Sequence, residues 1–253
     1  MNNLLVSIIT PSLNQGTYIQ ETIQSVLTQN YPNIEYIVMD GGSTDNTKSI
    51  LKKYGSRIRW ISKKDNGQAD AINKGMHLAK GEILCYLNSD DYLLPGAIAN
   101  VVERFLFHPD VGWITGDYTI VNGKGEQIQQ LISLYKRILR KFHIPLLFTN
   151  SIIQPSTFWR RQLMKQAGEF DSSLHYTFDY DYWFRLSAIQ PPLVVGNKLS
   201  AFRIHKQSKG GLSYKRQFKE EEQVLKRYTK NRIMVKLHGI HNRLITGIYD
   251  QIK

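Results

Sequence analysis

The chain has 253 residues, 42 % hydrophobic and 21 % charged, which excludes a disordered or low-complexity protein and allows a full core without disulfide staples. Cys85 is its one cysteine, so an intramolecular disulfide framework and multi-cysteine zinc or iron–sulfur centres are excluded as well. The net charge of +12 is concentrated towards the end: from Arg203 onward 13 Lys and Arg face four Asp and Glu, leaving residues 1–202 at about +3. That balance implies an anionic partner: a nucleic acid, a phospholipid surface or a phosphate-bearing substrate. No run approaches the roughly 18–20 apolar residues needed to cross a bilayer. The start, Met1-Asn-Asn-Leu-Leu-Val-Ser7, lacks a charged n-region and a long apolar core, so a soluble, cytoplasmic protein without a signal peptide is expected.

In chain order, two periods alternate. Residues 4–10 are a continuous apolar, β-branched run of strand length, and 18–27 place Ile19, Ile23, Val26 and Leu27 at helical spacing. A strand follows over 34–39, a helix over 47–54, a short strand over 58–61, a helix over 70–79 and a strand over 83–87. Pro95 precedes a helix over 97–107, and 113–121 reads as a fifth strand. This alternation predicts an α/β domain, a mostly parallel Rossmann-like sheet flanked by helices on both faces. Beyond it come a hairpin turn at Asn122-Gly-Lys-Gly125, a helix over 131–142, an extended segment over 154–159 and helices over 160–167 and 179–189. A strand over 194–205 and one long basic helix over 214–236 complete the pattern. One domain over 1–210 with a basic helical extension over 211–253 is the economical division.

In parallel sheets the ligand crevice lies beyond the carboxyl ends of the strands. Polar residues collect there four times in succession: Thr10-Pro-Ser-Leu-Asn14, Asp40-Gly-Gly-Ser-Thr-Asp45, Lys64-Asp-Asn-Gly67 and Asn88-Ser-Asp-Asp91. The adjacent carboxylates of Asp90 and Asp91 repel one another unless a cation neutralises them, and Mg²⁺ or Mn²⁺ binds through such oxygens together with substrate phosphates. The competing reading is an Asx-turn capping the next helix. Asp40 has a similar pair of readings: an acceptor for a base or ribose edge, beside glycines that admit a ligand, or a glycine turn ahead of a capped helix.

These four motifs, with Gln154-Pro-Ser-Thr-Phe-Trp-Arg160, Phe178-Asp-Tyr-Asp-Tyr-Trp-Phe-Arg185 and Phe202-Arg-Ile-His205, resemble in order family 2 glycosyltransferases of the GT-A fold. The likeness runs from about residue 4 to 210 and is strongest to bacterial members that build O-antigen, capsule or exopolysaccharide. It implies an inverting transfer of a sugar from a nucleoside-diphosphate sugar, UDP first, to a glycan or a lipid-diphosphate-linked acceptor. Donor binding falls to Thr10, Pro11, Asn14, Asp40, Asp65, Asn88 and Ser89, the metal (Mn²⁺ or Mg²⁺) to Asp90, Asp91 and His205, and the catalytic base to Asp179. Asn88, Ile72 and Phe178 stand where many members carry Asp, Arg and Glu.

Other polar residues read as ordinary. Cys85 lies in an apolar strand, and His77, His108, His143, His175, His238 and His241 show no ligand spacing. Over 131–142, Leu131, Leu134, Tyr135, Ile138 and Phe142 oppose Lys136, Arg137, Arg140 and Lys141. That pattern suits a helix lying in a membrane interface, and equally a helix packed on the domain with a solvated basic face. On the first reading it and the basic end of the chain bring the protein to an anionic membrane surface, at the inner face of the plasma membrane. Two other functions remain in view from the sequence: sugar-phosphate nucleotidyl transfer, against which stands the absence of a glycine-rich phosphate loop on the first strand, and a non-catalytic nucleic-acid binder. The second leaves the acidic strand ends unexplained, so no nucleic acid is expected.

Overall fold

The computed structural model describes residues 3–141 and 146–252; Phe142 and His143, which figure in the expectations above, lie outside the described residues. Strands β1 (Val6–Ser12), β2 (Ile34–Asp40), β3 (Arg59–Ser62) and β4 (Ile83–Tyr86) alternate with helices α1 (Ile19–Leu27), α2 (Thr47–Lys52) and α3 (Gln68–Leu78). They pair in parallel in the order β3-β2-β1-β4. Alternate residues face opposite ways on a strand. Ile8 and Val38 therefore pack with α1, α2 and α4 (Ala97–Phe107), whereas Ile9, Ile37 and Met39 pack with α3.

The second half is mixed rather than parallel. The short β5 (Tyr92–Leu93) pairs antiparallel with β9 (Leu193–Ile204), and β6 (Trp113–Asn122) runs parallel to β9. Strand β8 (Thr157–Arg160) is wedged antiparallel between β4 and β6, and β7 (Gln127–Ile128) closes the hairpin on β6. The expected predominance of parallel pairing thus describes the first half of the nine-stranded sheet. The mixed part is built by segments such as Thr157–Arg160, whose partners lie far away in sequence.

Three helices have residues that differ from expectation. Helix α5 (Gln130–Lys141) turns Arg140 inward onto the buried carboxylate of Asp117, with Nη2–Oδ1 at 2.8 Å, and Arg137 pairs with the other Asp117 oxygen. Two of its cations, Arg137 and Arg140, therefore serve a buried acid, and Leu131, Leu134 and Ile138 are left exposed. The single long basic helix is two, α8 (Lys209–Tyr228) and α9 (Arg232–Ile252). Thr229 is extended, and the Asn231 side chain caps the new start by accepting from the Ile233 amide at 2.9 Å. The boundary expected at residue 210 falls inside α8, which buries Val224 and Leu225 in one cluster with Trp113, Trp159 and Trp183. Helices α6 (Arg161–Ala167) and α7 (Phe178–Ile189) complete that layer. No described helix is long and apolar enough to cross a membrane.

Candidate active site

Ser12, Asp40 and Ser62 end three neighbouring strands in register. Asp40 is buried, and its carboxylate accepts from the Ser43 amide at 3.1 Å and from the Ser62 hydroxyl at 2.5 Å, as well as from the Ser43 hydroxyl. It therefore holds the glycine turn together. Beside it, the buried Ser12 Oγ has no hydrogen-bond partner among the described residues, so an unmet polar atom lies at the end of β1. Asp65 completes this corner. A Cβ on Gly41 would meet its Oδ2 at 2.6 Å, so a larger residue there would displace the Asp65 carboxylate.

The other expected donor residues divide by orientation. Thr10 is fully buried and its hydroxyl lies 3.0 Å from Tyr36 Oη; Pro11 is buried next to it. Asn14, at φ 54°, accepts from the Thr44 amide at 2.8 Å and fastens the first strand-end loop to the second. Thr10 and Pro11 are thus buried at the end of β1, and Asn14 joins the two strand-end loops.

Beyond β4 the chain turns sharply. The Asn88 amide joins three side chains: it accepts from Gln68 Nε2 at 2.7 Å and donates to Gln154 Oε1 at 3.1 Å and Asp91 Oδ2 at 3.2 Å. Ser89 is buried, and its carbonyl accepts from the Thr22 hydroxyl at 2.9 Å. The β5–β9 pairing then draws the acids to Arg203, near the end of β9, and to His205, the first residue beyond it. His205 Nε2 lies 3.0 Å from Asp90 Oδ2, and the Tyr18 ring packs on the imidazole with centroids 4.4 Å apart. Asp91 is different. It is buried, its Oδ1 accepts from the Arg203 amide at 2.8 Å, and burial together with the Asp90 charge pushes its carboxyl well above the usual carboxylate range. The expectation of two adjacent metal-facing carboxylates is corrected here: Asp90 keeps an 18 % exposed side chain, whereas Asp91 is a strut that ties the turn to β9.

Asp179 enters from the first turn of α7. Its carboxylate accepts from the Tyr180 amide at 2.7 Å and lies within electrostatic range of Tyr86, at the end of β4. Burial pushes its pKa up to about 7; the Glu221 charge adds to the rise, and the Tyr180 amide and Lys136 oppose it. Helix α8 fixes the entry of α7, because Glu220 accepts from the amides of His175, Tyr176 and Thr177 at 2.6–2.9 Å. Asp40, Asp90 and Asp179 thus reach one edge of the sheet, with Asp40 two strands, about 10 Å, from the end of β4.

The sequence model for "Glycosyl transferase family 2" matches residues 7–165. The chain belongs to that family. An uncharacterised glycosyltransferase of Rickettsia typhi is 34 % identical over 206 residues, 79 % of this chain and 64 % of the relative. The chondroitin synthase of Pasteurella multocida is 30 % identical over 188 residues, 73 % of this chain and 19 % of that enzyme. The chain therefore spans less than two thirds of the length of these curated relatives. Among solved structures, the mannosyltransferase PcManGT of Pyrobaculum calidifontis, in complex with GDP-Man and Mn²⁺, has a TM-score of 0.69 at 17 % identity, covering 96 % of this chain and 70 % of that one. S. aureus TarS with UDP-GlcNAc has a TM-score of 0.66 at 18 % identity, covering 87 % and 65 %. These likenesses establish the GT-A fold of this family 2 member.

Four residues outside the expected set support the site here. Gln68 and Gln154 orient Asn88, Lys136 stands within electrostatic range of Asp179, and Arg203 braces the Asp90–Asp91 turn. The buried Arg203 guanidinium donates to the Asp90 carbonyl at 2.8 Å and to Glu21 at 2.5 Å, and lies 5.0 Å from the Tyr18 ring centroid. The segment Phe202-Arg-Ile-His205 carries the signal, since it places Arg203 two residues before His205. Replacing Arg203 by Met is expected to cost about 1–3 kcal/mol in urea unfolding, because the Asp90 carbonyl loses its charged donor, whereas the half-exposed Glu21 is left to water.

Among the described residues, no three His, Cys, Asp or Glu side chains gather into a group able to hold an ion alone. Asp90 and His205 fit a site of another kind, where one oxygen and one nitrogen donor from protein are joined by substrate phosphates.

Proposed function

We propose that this family 2 member transfers a sugar, with inversion, from a nucleoside-diphosphate sugar, UDP first, to the hydroxyl of a glycan or a lipid-diphosphate-linked acceptor. The observation that carries this reading is the half-buried Asp179 at the same sheet edge as the Asp90–His205 pair. In the reaction the acceptor oxygen bonds to the sugar's anomeric carbon as the bond from that carbon to the diphosphate oxygen breaks. Asp179 takes the acceptor's proton; a base with a pKa near the working pH is suited to this. The diphosphate departs with the electron pair. Asp90 and His205 would hold Mn²⁺ or Mg²⁺, which when bound supplies charge neutralisation for the departing diphosphate.

The donor base is assigned to the corner made by the end of β1, the Asp40 turn and Asp65, with the unpartnered Ser12 hydroxyl as a further contact. Asn88 is assigned to the ribose, its orientation fixed by Gln68 and Gln154. The PcManGT complex with GDP-Man and Mn²⁺ and the TarS complex with UDP-GlcNAc support a nucleotide-sugar donor for this fold. A thermal-shift panel of UDP, GDP and dTDP with and without Mn²⁺ tests the reading. At a hundredfold excess over Kd, binding adds about 2.7 kcal/mol. The expected result is a clear rise in Tm for UDP only when Mn²⁺ is present. No shift with any nucleotide would count against it.

A further inference from the structure

Helices α5 and α9 meet through Tyr135 Oη and His241 Nε2, 2.8 Å apart with their rings stacked. On each helix that seam separates buried positions from an exposed apolar stripe. The buried positions are Ser133, Leu139 and Arg140 on α5, and His238 and Asn242 on α9. The stripes are Leu131, Leu134 and Ile138, then Ile233, Leu237, Ile240 and Leu244, all between 42 and 81 % exposed. Their spacings of three and four residues make each a continuous row along its helix. Seven large aliphatic side chains on one outer face are far more than the scattered exposed apolar residues of an ordinary surface.

The border of that face is cationic. Arg232, Lys236 and Arg243 occupy the next row around α9, Lys230 precedes it, all four are exposed, and none has an ion pair among the described residues. An apolar stripe bordered by unpaired cations is the pattern of a helix lying in a bilayer interface. A second copy of the chain is the poorer occupant: a two-fold interface would oppose the same basic borders on molecules that each carry +12.

We propose that the outer face of α5 and α9 docks on an anionic phospholipid leaflet. The leucines and isoleucines enter the acyl boundary, and Lys230, Arg232, Lys236 and Arg243 lie among the headgroups. The expected interfacial helix is kept here, but its headgroup cations come from α9, because Arg137 and Arg140 of α5 pair with Asp117. Lys136 of α5 stands within electrostatic range of Glu221 and Asp179, so docking would bring the acceptor side of the site close to the leaflet.

Flotation of the full chain with vesicles of phosphatidylcholine, alone or mixed with phosphatidylglycerol, tests the proposal. Wild-type protein is expected to float with the anionic vesicles. Combined Leu131→Gln, Leu134→Gln and Ile138→Gln on α5, and separately Ile233→Gln, Leu237→Gln and Leu244→Gln on α9, should each weaken vesicle partitioning at least about tenfold at unchanged Tm. Arg232→Gln, Lys236→Gln and Arg243→Gln should cost about fivefold per charge, on anionic vesicles only. Phe107→Gln, at an equally exposed apolar residue on α4, should float like wild type. The proposal is overturned if wild type does not float, if the apolar variants float as wild type does, or if Phe107→Gln loses as much as they do. It is equally overturned if light scattering shows a wild-type dimer that the apolar substitutions convert to monomer.

Discussion

Asp179→Asn is expected to lower turnover by about 10²–10⁴-fold while the protein stays folded, the range for removing a positioned general base. The pH profile carries a second, independent expectation. Because Asp179 must be ionised to accept a proton and its pKa is pushed up to about 7, kcat/KM should rise with pH through about 7 and then level. The stability effect has the opposite sign. Between the ordinary value of 3.8 and about 7, the folded state holds a proton that the unfolded chain has released, so stability falls as pH rises through that window. Asparagine removes the term. At pH 8 the variant should therefore be more stable than wild type, on the order of 1 kcal/mol or more, and the two should converge towards pH 4. Paired thermal melts at the two pH values check this, and a variant less stable than wild type at pH 8 would show that burial is not what raises the pKa.

The second large effect is expected at Asp90. Asp90→Asn keeps the shape of the turn, since the Arg203 guanidinium binds the Asp90 carbonyl rather than its carboxylate. What it removes is one charged donor beside His205. Turnover should fall by about 10²–10³-fold, comparable to losing one preorganised electrostatic contact to the departing group. The sensitivity of the remaining activity to added Mn²⁺ should fall as well, read by titrating Mn²⁺ into chelator-treated protein. Asp91→Asn should behave differently. Asp91 spans Arg203 and Asn88 from a buried position, so its replacement should appear first in the melting temperature.

Much of this architecture can be read from residues alone, for a physical reason. Strands β1, β2 and β4 are continuous apolar runs buried on both faces, and such runs have few alternatives to a central parallel strand. The site loops follow, because polar residues directly after buried strands have only the sheet edge to occupy. The two-residue strands β5 and β7 carry too little pattern to read, yet β5 is what brings Asp90 to His205. Helix α5 shows a different limit. Its spacing defines an apolar and a basic side, but which one turns inward is set by Asp117, a buried carboxylate on another element. Asp40 is intermediate: its place at the strand end is legible, and its use in holding Ser43 and Ser62 is a matter of side-chain geometry. The break between α8 and α9 had a visible signal in Asn231, a good capping residue inside an otherwise helical stretch.

Calorimetric titration of UDP with Mn²⁺ into wild type, Asp90→Asn and Asp179→Asn addresses the division of labour among these acids most directly. Donor-side binding should drop at least about tenfold in Asp90→Asn and stay within about twofold of wild type in Asp179→Asn. Equal affinities in all three proteins, or a loss confined to Asp179→Asn, would contradict a cradle for the diphosphate at Asp90 and a proton acceptor at Asp179.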